Sequence, residues 1–214
     1  MNYYQEISLL PNFEINLFKL WSETFQQIHF GLVEVQDGQK RVPIGVSFPE
    51  YKMGEKFAVL GSKLRLFAPD ETVLAQFDAN KWLAQLCNYV HCTSIRQVPD
   101  DVKGYAVYRR DQPKSSKERL ARRYAKRHGL DYETTLNGNV KLSVKPQTGM
   151  ECEKMLMSYS EMPHKTITSP FIRLKSLSNG NLFCLWIKKS KMENRGNGTF
   201  STYGLSSTST VPEF

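Results

Sequence analysis

The stretch Glu14–Val35 reads E-I-N-L-F-K-L-W-S-E-T-F-Q-Q-I-H-F-G-L-V-E-V and carries a helical pattern. Its large apolar residues recur at intervals of three or four positions: Phe18, Trp21, Phe25, Ile28 and Leu32. This spacing aligns them along one side of an α-helix. We therefore predict a helix over residues 14–35 whose apolar side packs against a core.

Strand patterns flank this helix, and a second helix is predicted at Glu71–Leu86. The predicted strands are Tyr3–Leu10, Val42–Phe48, Lys63–Phe67 and Tyr89–Val98. The resulting order, β-α-β-β-α-β over residues 2–98, is that of a ferredoxin-like module. The same topology underlies many RNA-binding domains. The predicted fold class is therefore α+β.

The most basic stretch is Arg109–Gly129, R-R-D-Q-P-K-S-S-K-E-R-L-A-R-R-Y-A-K-R-H-G, which holds nine Lys or Arg residues against two acids. Ser115 and Glu118 have the spacing of a capping box, and Gly129 stands where a helix stop is expected, so we predict a helix over about 115–128. Five basic residues then share one helix face: Arg119, Arg122, Arg123, Lys126 and Arg127. Such a face is typical of nucleic-acid binding, and a solvated charged surface is the alternative.

The chain is expected to have two domains, residues 1–98 and 99–214, separated at Pro99-Asp100-Asp101. Two strands within 171–188 are joined by Asn179-Gly180, a strong β-hairpin signal. Residues 130–165 are expected to form an irregular insertion. Three further short strands are predicted: Tyr105–Arg109, Val140–Val144 and Thr199–Gly204. A Ser/Thr-rich tail follows the last of them.

Several function classes are poorly supported by the sequence. The four cysteines show no zinc-site spacing, the acidic residues are scattered, and neither a phosphate-binding P-loop nor a G-x-G-x-x-G motif occurs. We therefore expect no metal and no cofactor. The N-terminus has no signal-peptide pattern and the chain has no apolar run of membrane length, so a cytoplasmic protein that binds no membrane is expected.

His29 borders the apolar side of the first helix, four residues after Phe25 and three before Leu32. A half-buried histidine that only packs is the plain interpretation. Imidazole is also the natural base for removing a proton from a ribose 2′-hydroxyl, a reaction that needs no metal. The activated oxygen would attack the adjacent phosphorus and leave a 2′,3′-cyclic phosphate and a 5′-hydroxyl.

The hairpin and the last strand supply polar and aromatic candidates. Ser176 and Ser178 could hold a ribose or phosphate, and Phe183 could stack on a base. Ordinary turn chemistry and a core aromatic are the alternatives. Tyr203 is ambiguous in the same way, as a core ring or as a phenol oriented toward a site.

Five blocks of the chain together resemble one known family. They are F-Q-Q-I-H (25–29), P-I-G-V-S-F-P (43–49), R-D-Q-P-K-S with its arginine-rich helix (110–128), F-I-R-L-K-S-L-S-N-G-N-L-F (171–183) and F-S-T-Y-G-L (200–205). The resemblance is to the type I-F CRISPR-associated endoribonucleases that cut repeat hairpins in precursor RNA. Glu213 departs from the family pattern, which has an aromatic residue there.

The resemblance implies a role for each candidate. His29 matches the catalytic general base, Ser176 the serine that holds the scissile ribose, and Tyr203 the tyrosine that orients the histidine. The remaining matches are to RNA-binding residues: Arg110 and Gln112 as readers of purine edges, Arg123 and Arg127 along the stem phosphates with Arg122 and Lys126 in support, Phe183 under the last base pair, and Ser178 as a neighbouring active-site serine. Arg119 is predicted to bind RNA because it shares the basic face of the helix.

The implied function is metal-independent cleavage at the 3′ base of the CRISPR repeat stem-loop. The implied partners are that RNA and the other subunits of a type I-F crRNA-guided surveillance complex, which retains the product. A hairpin-binding subunit that does not cleave is the alternative, with His29 structural. A DNA-binding regulator is a third possibility.

Overall fold

The computed structural model describes residues 1–54, 58–112, 117–138, 140–144, 153–161, 168–196 and 198–214. These residues form two compact units. The first unit comprises Met1–Asp111 and Thr168–Phe214, and the second comprises Gln112–Ile167. The first unit thus contains parts of both predicted domains, 1–98 and 99–214, and that division stays a prediction.

The described strands are β1 (Tyr3–Leu9), β2 (Arg41–Val42), β3 (Gly45–Ser47), β4 (Lys52–Met53), β5 (Ala58–Val59), β6 (Lys63–Ala68), β7 (Val90–Cys92), β8 (Arg96–Gln97), β9 (Gly104–Arg110), β10 (Val140–Val144), β11 (Glu153–Met157), β12 (Phe171–Lys175), β13 (Leu182–Met192), β14 (Phe200–Ser201) and β15 (Val211–Glu213). The described helices are α1 (Leu17–Glu34), α2 (Glu71–Phe77), α3 (Ala79–Trp82), α4 (Lys117–His128) and α5 (Tyr132–Asn137), with a 3-10 turn at Ala84–Leu86. Among the described segments, no helix has the length and apolar character needed to cross a membrane.

The first sheet of the first unit has the strand order β3-β6-β1-β7, with β8 also paired to β1. All of these pairs are antiparallel. The second and third strands of the predicted order thus lie to one side of β1, and the fourth lies to the other side. This arrangement agrees with the predicted ferredoxin-like order, and the α+β class is confirmed.

The helix predicted at 14–35 is α1, and Asn16 caps it by accepting a hydrogen bond from the Lys19 N–H at 3.0 Å. Trp21, Phe25 and the two aliphatic residues that follow them on the predicted face are buried, as expected. Phe18 was predicted to join them and does not, because its ring is 77% exposed. Phe18 lies on the predicted face of α1, but it is in the first turn of the helix, where the core does not cover that face.

Other elements are shorter than predicted, for local reasons. The strand predicted at Val42–Phe48 is divided into β2 and β3 around Pro43, which has no N–H to donate to a ladder. The second helix breaks at Asp78, whose φ of 46° lies in the left-handed region. The strand predicted at Tyr89–Val98 is present only at its two ends, as β7 and β8.

The second sheet of the first unit has the order β12-β13-β9-β15 and is antiparallel. The predicted hairpin is confirmed as β12 and β13, and Gly180 adopts a left-handed φ of 70° in its turn. The Ser/Thr-rich tail that follows the last predicted strand contains one further strand, β15, which pairs with β9. Glu213 in β15 forms an ion pair with Lys189 and lies 3.3 Å from the Tyr108 hydroxyl, which gives this departure from the family pattern a structural role.

The two large sheets of the first unit and α1 contribute to one hydrophobic core. Phe48 lies near its centre, with its ring 5.5 Å from those of Trp21 and Tyr108 and 6.1 Å from that of Phe25. The chain leaves this unit after Asp111 and returns at Thr168. At that junction the Ser169 hydroxyl donates a hydrogen bond of 2.8 Å to the Asp111 carboxylate.

The second unit is more regular than the irregular insertion predicted for residues 130–165. Helix α5 follows α4, and the strand predicted at Val140–Val144 is confirmed as β10, paired with β11. Helix α4 buries Ala121 and Ala125, and Tyr124 packs against Tyr159 with 6.0 Å between ring centres. Ser115, predicted to cap α4, lies outside the described residues.

Candidate active site

His29 lies on the buried side of α1, with only 5% of its surface exposed. Its Nδ1 is 2.7 Å from the backbone carbonyl oxygen of Thr202. A carbonyl oxygen can only accept a hydrogen bond, so Nδ1 must carry the proton in this contact. The neutral ring then has its lone pair on Nε2, and among the described residues no hydrogen bond occupies that nitrogen. The imidazole is therefore held in the tautomer that a general base requires.

The surroundings of His29 also favour the neutral ring. Burial lowers the pKa of His29 below its ordinary value, and the hydrogen bond to the Thr202 carbonyl opposes part of that shift. The imidazole is consequently unprotonated near neutral pH. A base of this kind is able to accept a proton without first having to lose one.

Tyr203 stacks on the His29 ring, with ring centres 4.1 Å apart and an angle of 12° between the planes. Burial raises the pKa of the Tyr203 hydroxyl, and the positive charge of Arg110 offsets part of the rise. Together, the stacked ring and the Thr202 carbonyl fix both the plane and the rotation of the imidazole. These two restraints come from consecutive residues, so one short segment orients the histidine.

That segment is held by a tight turn. Gly204 has a left-handed φ of 67° and donates its N–H to the Ser201 carbonyl oxygen at 2.7 Å. Its own carbonyl oxygen accepts a hydrogen bond of 2.9 Å from the Val46 N–H. The blocks I-G-V-S-F-P and Y-G-L therefore bond to each other directly, and this contact places Tyr203 and Thr202 beside α1.

Phe183 and Arg110 extend the cluster from Tyr203. The Phe183 ring meets the Tyr203 ring edge-on, with 6.4 Å between centres. The Arg110 guanidinium carbon lies 5.5 Å from the centre of the Phe183 ring, within cation–π range. Four predicted site residues thus contact one another in succession, from His29 through Tyr203 and Phe183 to Arg110.

Ser176 and Ser178 lie in the hairpin turn, and their hydroxyl oxygens are 3.2 Å apart. The turn is closed by a hydrogen bond of 2.9 Å from the Gly180 N–H to the Ser176 carbonyl oxygen. Beside it, the backbone N–H of Lys175 donates to the Gln26 side-chain oxygen at 2.8 Å. Gln26 precedes His29 by one helical turn, so a single side chain links the histidine's helix to the serine hairpin.

The second unit presents the basic face predicted on α4. All five of its basic residues are exposed: Arg119, Arg122, Arg123, Lys126 and Arg127. The Arg122 guanidinium also lies 5.2 Å from the centre of the Tyr132 ring. Gln112, the predicted partner of Arg110 in reading bases, is exposed at the start of this unit.

Three contributors to the site were not predicted. Thr202 acts through its backbone carbonyl, which leaves no trace in the residue type. Gln26 could have been noticed, because its i, i+3 spacing puts it beside His29 on the helix. Asp111, which directly follows Arg110, accepts a hydrogen bond of 2.8 Å from the Ser169 hydroxyl and so restrains the chain at the end of β9. Within the described ranges, no group of three or more His, Cys, Asp or Glu residues is placed to hold a metal ion.

Comparison with known proteins is consistent with this geometry. The chain is 31% identical, over the full length of both sequences, to the CRISPR-associated endonuclease Cas6/Csy4 of Escherichia coli strain UTI89. It is also 31% identical, again over the full length of both, to the CRISPR-associated endonuclease Cas6/Csy4 of Pseudomonas aeruginosa strain UCBPP-PA14. Residues 4–214 match the family described as CRISPR-associated protein (Cas_Csy4). The chain therefore belongs to the Cas_Csy4 family of CRISPR-associated proteins.

Proposed function

We propose that this protein is the endoribonuclease that matures CRISPR precursor RNA by cutting at the 3′ base of the repeat stem-loop. The observation that carries the proposal is the state of His29: buried, neutral and hydrogen-bonded through Nδ1 to the Thr202 carbonyl, with Nε2 left to act as a base. Membership of the Cas_Csy4 family and the endonuclease names of the relatives support it.

In the proposed reaction, Nε2 of His29 takes the proton of the ribose 2′-hydroxyl next to the scissile phosphate. The 2′-oxygen forms a bond to phosphorus while the bond from phosphorus to the 5′-oxygen breaks. The products are a 2′,3′-cyclic phosphate, a 5′-hydroxyl that takes up a proton from solvent, and a protonated His29. Ser176 holds the scissile ribose, with Ser178 beside it, and Tyr203 keeps the imidazole in plane. No step uses a metal ion.

RNA binding is assigned to the remaining predicted residues. The five exposed basic residues of α4 neutralise stem phosphates, Arg110 and Gln112 read base edges at the foot of the stem, and Phe183 stacks under the last base pair. The Arg110–Phe183 contact supports this assignment, because a guanidinium and an aromatic ring at one point offer a hydrogen-bonding edge beside a stacking surface. We further propose that the product stays bound within a type I-F surveillance complex in the cytoplasm.

The test uses the cognate repeat RNA in the presence of EDTA. We expect complete single-turnover cleavage, with a 2′,3′-cyclic phosphate on the upstream product detected by mass spectrometry. A matched RNA with a 2′-deoxy substitution at the scissile nucleotide should bind with equal affinity and stay intact. If both RNAs bind and neither is cut, the protein is a hairpin-binding subunit instead. Equal affinity for duplex DNA at matched salt would favour a DNA-binding regulator.

A further inference from the structure

Helices α4 and α5 pack together around a small hydrophobic core within the second unit. This core is a cluster of its own, separate from the large core of the first unit. Its buried members are Ala121 and Tyr159, and its partly buried members are Leu120, Tyr124, Tyr132 and Leu136. The helix that carries the basic face is therefore supported along its other side by α5.

Tyr132 is the residue of α5 that meets the basic face. The guanidinium carbon of Arg122 lies over the Tyr132 ring, 5.2 Å from its centre, and cation–π contacts extend to about 6 Å. Tyr132 is half-buried, whereas Arg122 is exposed. The ring is thus held by packing, while the guanidinium above it stays within reach of a ligand.

The position of α5 is fixed by hydrogen bonds at both of its ends. At its start, the Asp131 carboxylate accepts a hydrogen bond of 3.0 Å from the Thr134 N–H. Near its end, the Leu136 carbonyl oxygen accepts one of 2.9 Å from the Ser160 N–H. The Ser160 carbonyl oxygen in turn accepts one of 3.0 Å from the ammonium group of Lys117, the first residue of α4. One residue therefore bonds to both helices, which keeps the Tyr132 ring beside α4.

A ring in this position prepares Arg122 for an anion. An exposed arginine side chain samples many rotamers and loses most of them when it binds a phosphate. Contact with a fixed ring restricts those rotamers before binding, so less freedom is lost in the complex. The ring occupies one face of the guanidinium, and the N–H donors stay available along its edge.

We infer that Tyr132 is a positioning residue for RNA recognition, which holds the Arg122 guanidinium ready to bind a stem phosphate. This inference rests on the proposed function, because it takes the basic face of α4 to contact the stem. It gives α5 a part in RNA affinity. It gives Tyr132 no part in cleavage, since His29 and the groups that orient it belong to the first unit.

The experiment replaces the ring in steps and measures affinity for the repeat RNA that carries a 2′-deoxy scissile nucleotide. Tyr132→Phe keeps the ring and should bind as tightly as wild type. Fluorinated phenylalanines incorporated at position 132 keep the shape of the ring but withdraw negative charge from its face, so affinity should fall as fluorine is added. Tyr132→Leu removes the ring, and the loss should reach about two- to fivefold, the size of an exposed cation–π contact.

Two backgrounds separate positioning from packing. In Arg122→Gln, the whole ring series should bind with one affinity, because the cation that the ring holds is gone. The control background is Lys126→Gln, which removes a cation of the same face that contacts no aromatic ring among the described residues. There the ring series should keep its full effect.

Two further measurements separate affinity from chemistry. Tyr132→Leu should lower the slope of log K against log salt by at most about one, the value for one lost phosphate contact. The rate at which the saturated variant cleaves the all-ribose repeat RNA should equal that of wild type. A residue that only stabilised the fold would not produce this pattern together with rescue by Tyr132→Phe.

The inference is overturned if fluorination leaves affinity unchanged, or if the loss is as large in the Arg122→Gln background as in wild type. A loss already present in Tyr132→Phe would assign the effect to the hydroxyl and overturn it as well. If Tyr132→Leu does not fold, the fluorinated series decides alone, because it preserves the ring. All of these results leave the proposed function intact, whereas failure of the wild-type protein to bind the repeat RNA would overturn both.

Discussion

The candidate active site and the basic face of α4 are assembled over very different distances along the chain. His29 and the Thr202 carbonyl that orients it are 173 residues apart, and Gln26 meets Lys175 across 149 residues. The five residues of the basic face of α4 all lie within nine consecutive positions. The first arrangement exists only in the folded core, whereas the second needs only a formed helix. We therefore expect that the cleavage rate and the affinity for RNA can be changed separately by mutation.

The largest effect is expected for His29→Ala. Removal of the base should slow single-turnover cleavage by about 10²- to 10⁴-fold, the usual contribution of general acid–base catalysis. Affinity for the hairpin should change little, because the stem contacts lie elsewhere. Rates at saturating protein and equilibrium binding of a 2′-deoxy RNA separate the two quantities. A large loss of affinity would contradict the separation and assign His29 a folding role.

The pH dependence of cleavage should follow the lowered pKa of His29. Only the neutral imidazole accepts a proton, so kcat/KM should rise about tenfold per pH unit in acid and level off above the pKa of the free protein. Because burial lowers that pKa, the midpoint of the rise should lie below the ordinary histidine value of 6.5. A profile that still rises between pH 7 and 8 would contradict a neutral, desolvated base.

The double variant Arg123→Ala, Arg127→Ala should lose RNA affinity and keep its cleavage rate, the opposite of the result expected for His29→Ala. We expect affinity to fall about tenfold at moderate salt, and the slope of log K against log salt to decrease by about one for each lost phosphate contact. Cleavage by the saturated complex should stay close to the wild-type rate. Circular dichroism provides the control, since alanine favours a helix and α4 should persist. An unchanged salt slope would show that this face does not contact phosphates.

The smallest effect is expected at Gln26, where one hydrogen bond joins α1 to the hairpin. Gln26→Met keeps the shape of the side chain but removes the acceptor for the Lys175 N–H, so we expect a decrease of about three- to tenfold in the cleavage rate of the all-ribose repeat RNA at saturation. Gln26→Glu keeps an acceptor oxygen and should restore most of the rate. Equal rates in Gln26→Met and wild type would remove Gln26 from the positioning of Ser176.

The same contrast explains what could be predicted from the sequence. The helix over 14–35, the β-α-β-β-α-β order and the Asn179-Gly180 hairpin follow from local spacing and turn chemistry. The exposure of Phe18 depends on where the core ends, and the pairing of β15 with β9 depends on a distant strand. The hydrogen bond between His29 and the Thr202 carbonyl involves only the backbone of Thr202, so the residue type at that position does not indicate it. For the site, the sequence offered His29 and Tyr203 as candidates and the family resemblance gave each a role, but their mutual geometry is visible only in the structure.

The hydrogen bond between Ser169 and Asp111 has a consequence for how such proteins diversify. This hydrogen bond joins the residue at which the chain leaves the first unit to the segment at which it returns. The segment Gln112–Ile167 is therefore inserted at a single point of the first unit. Among the described residues of that segment, none belongs to a strand of either large sheet. Exchange of this segment for the equivalent segment of a relative should therefore replace Gln112 and the basic face of α4 together, while His29, Tyr203 and Arg110 stay in the first unit.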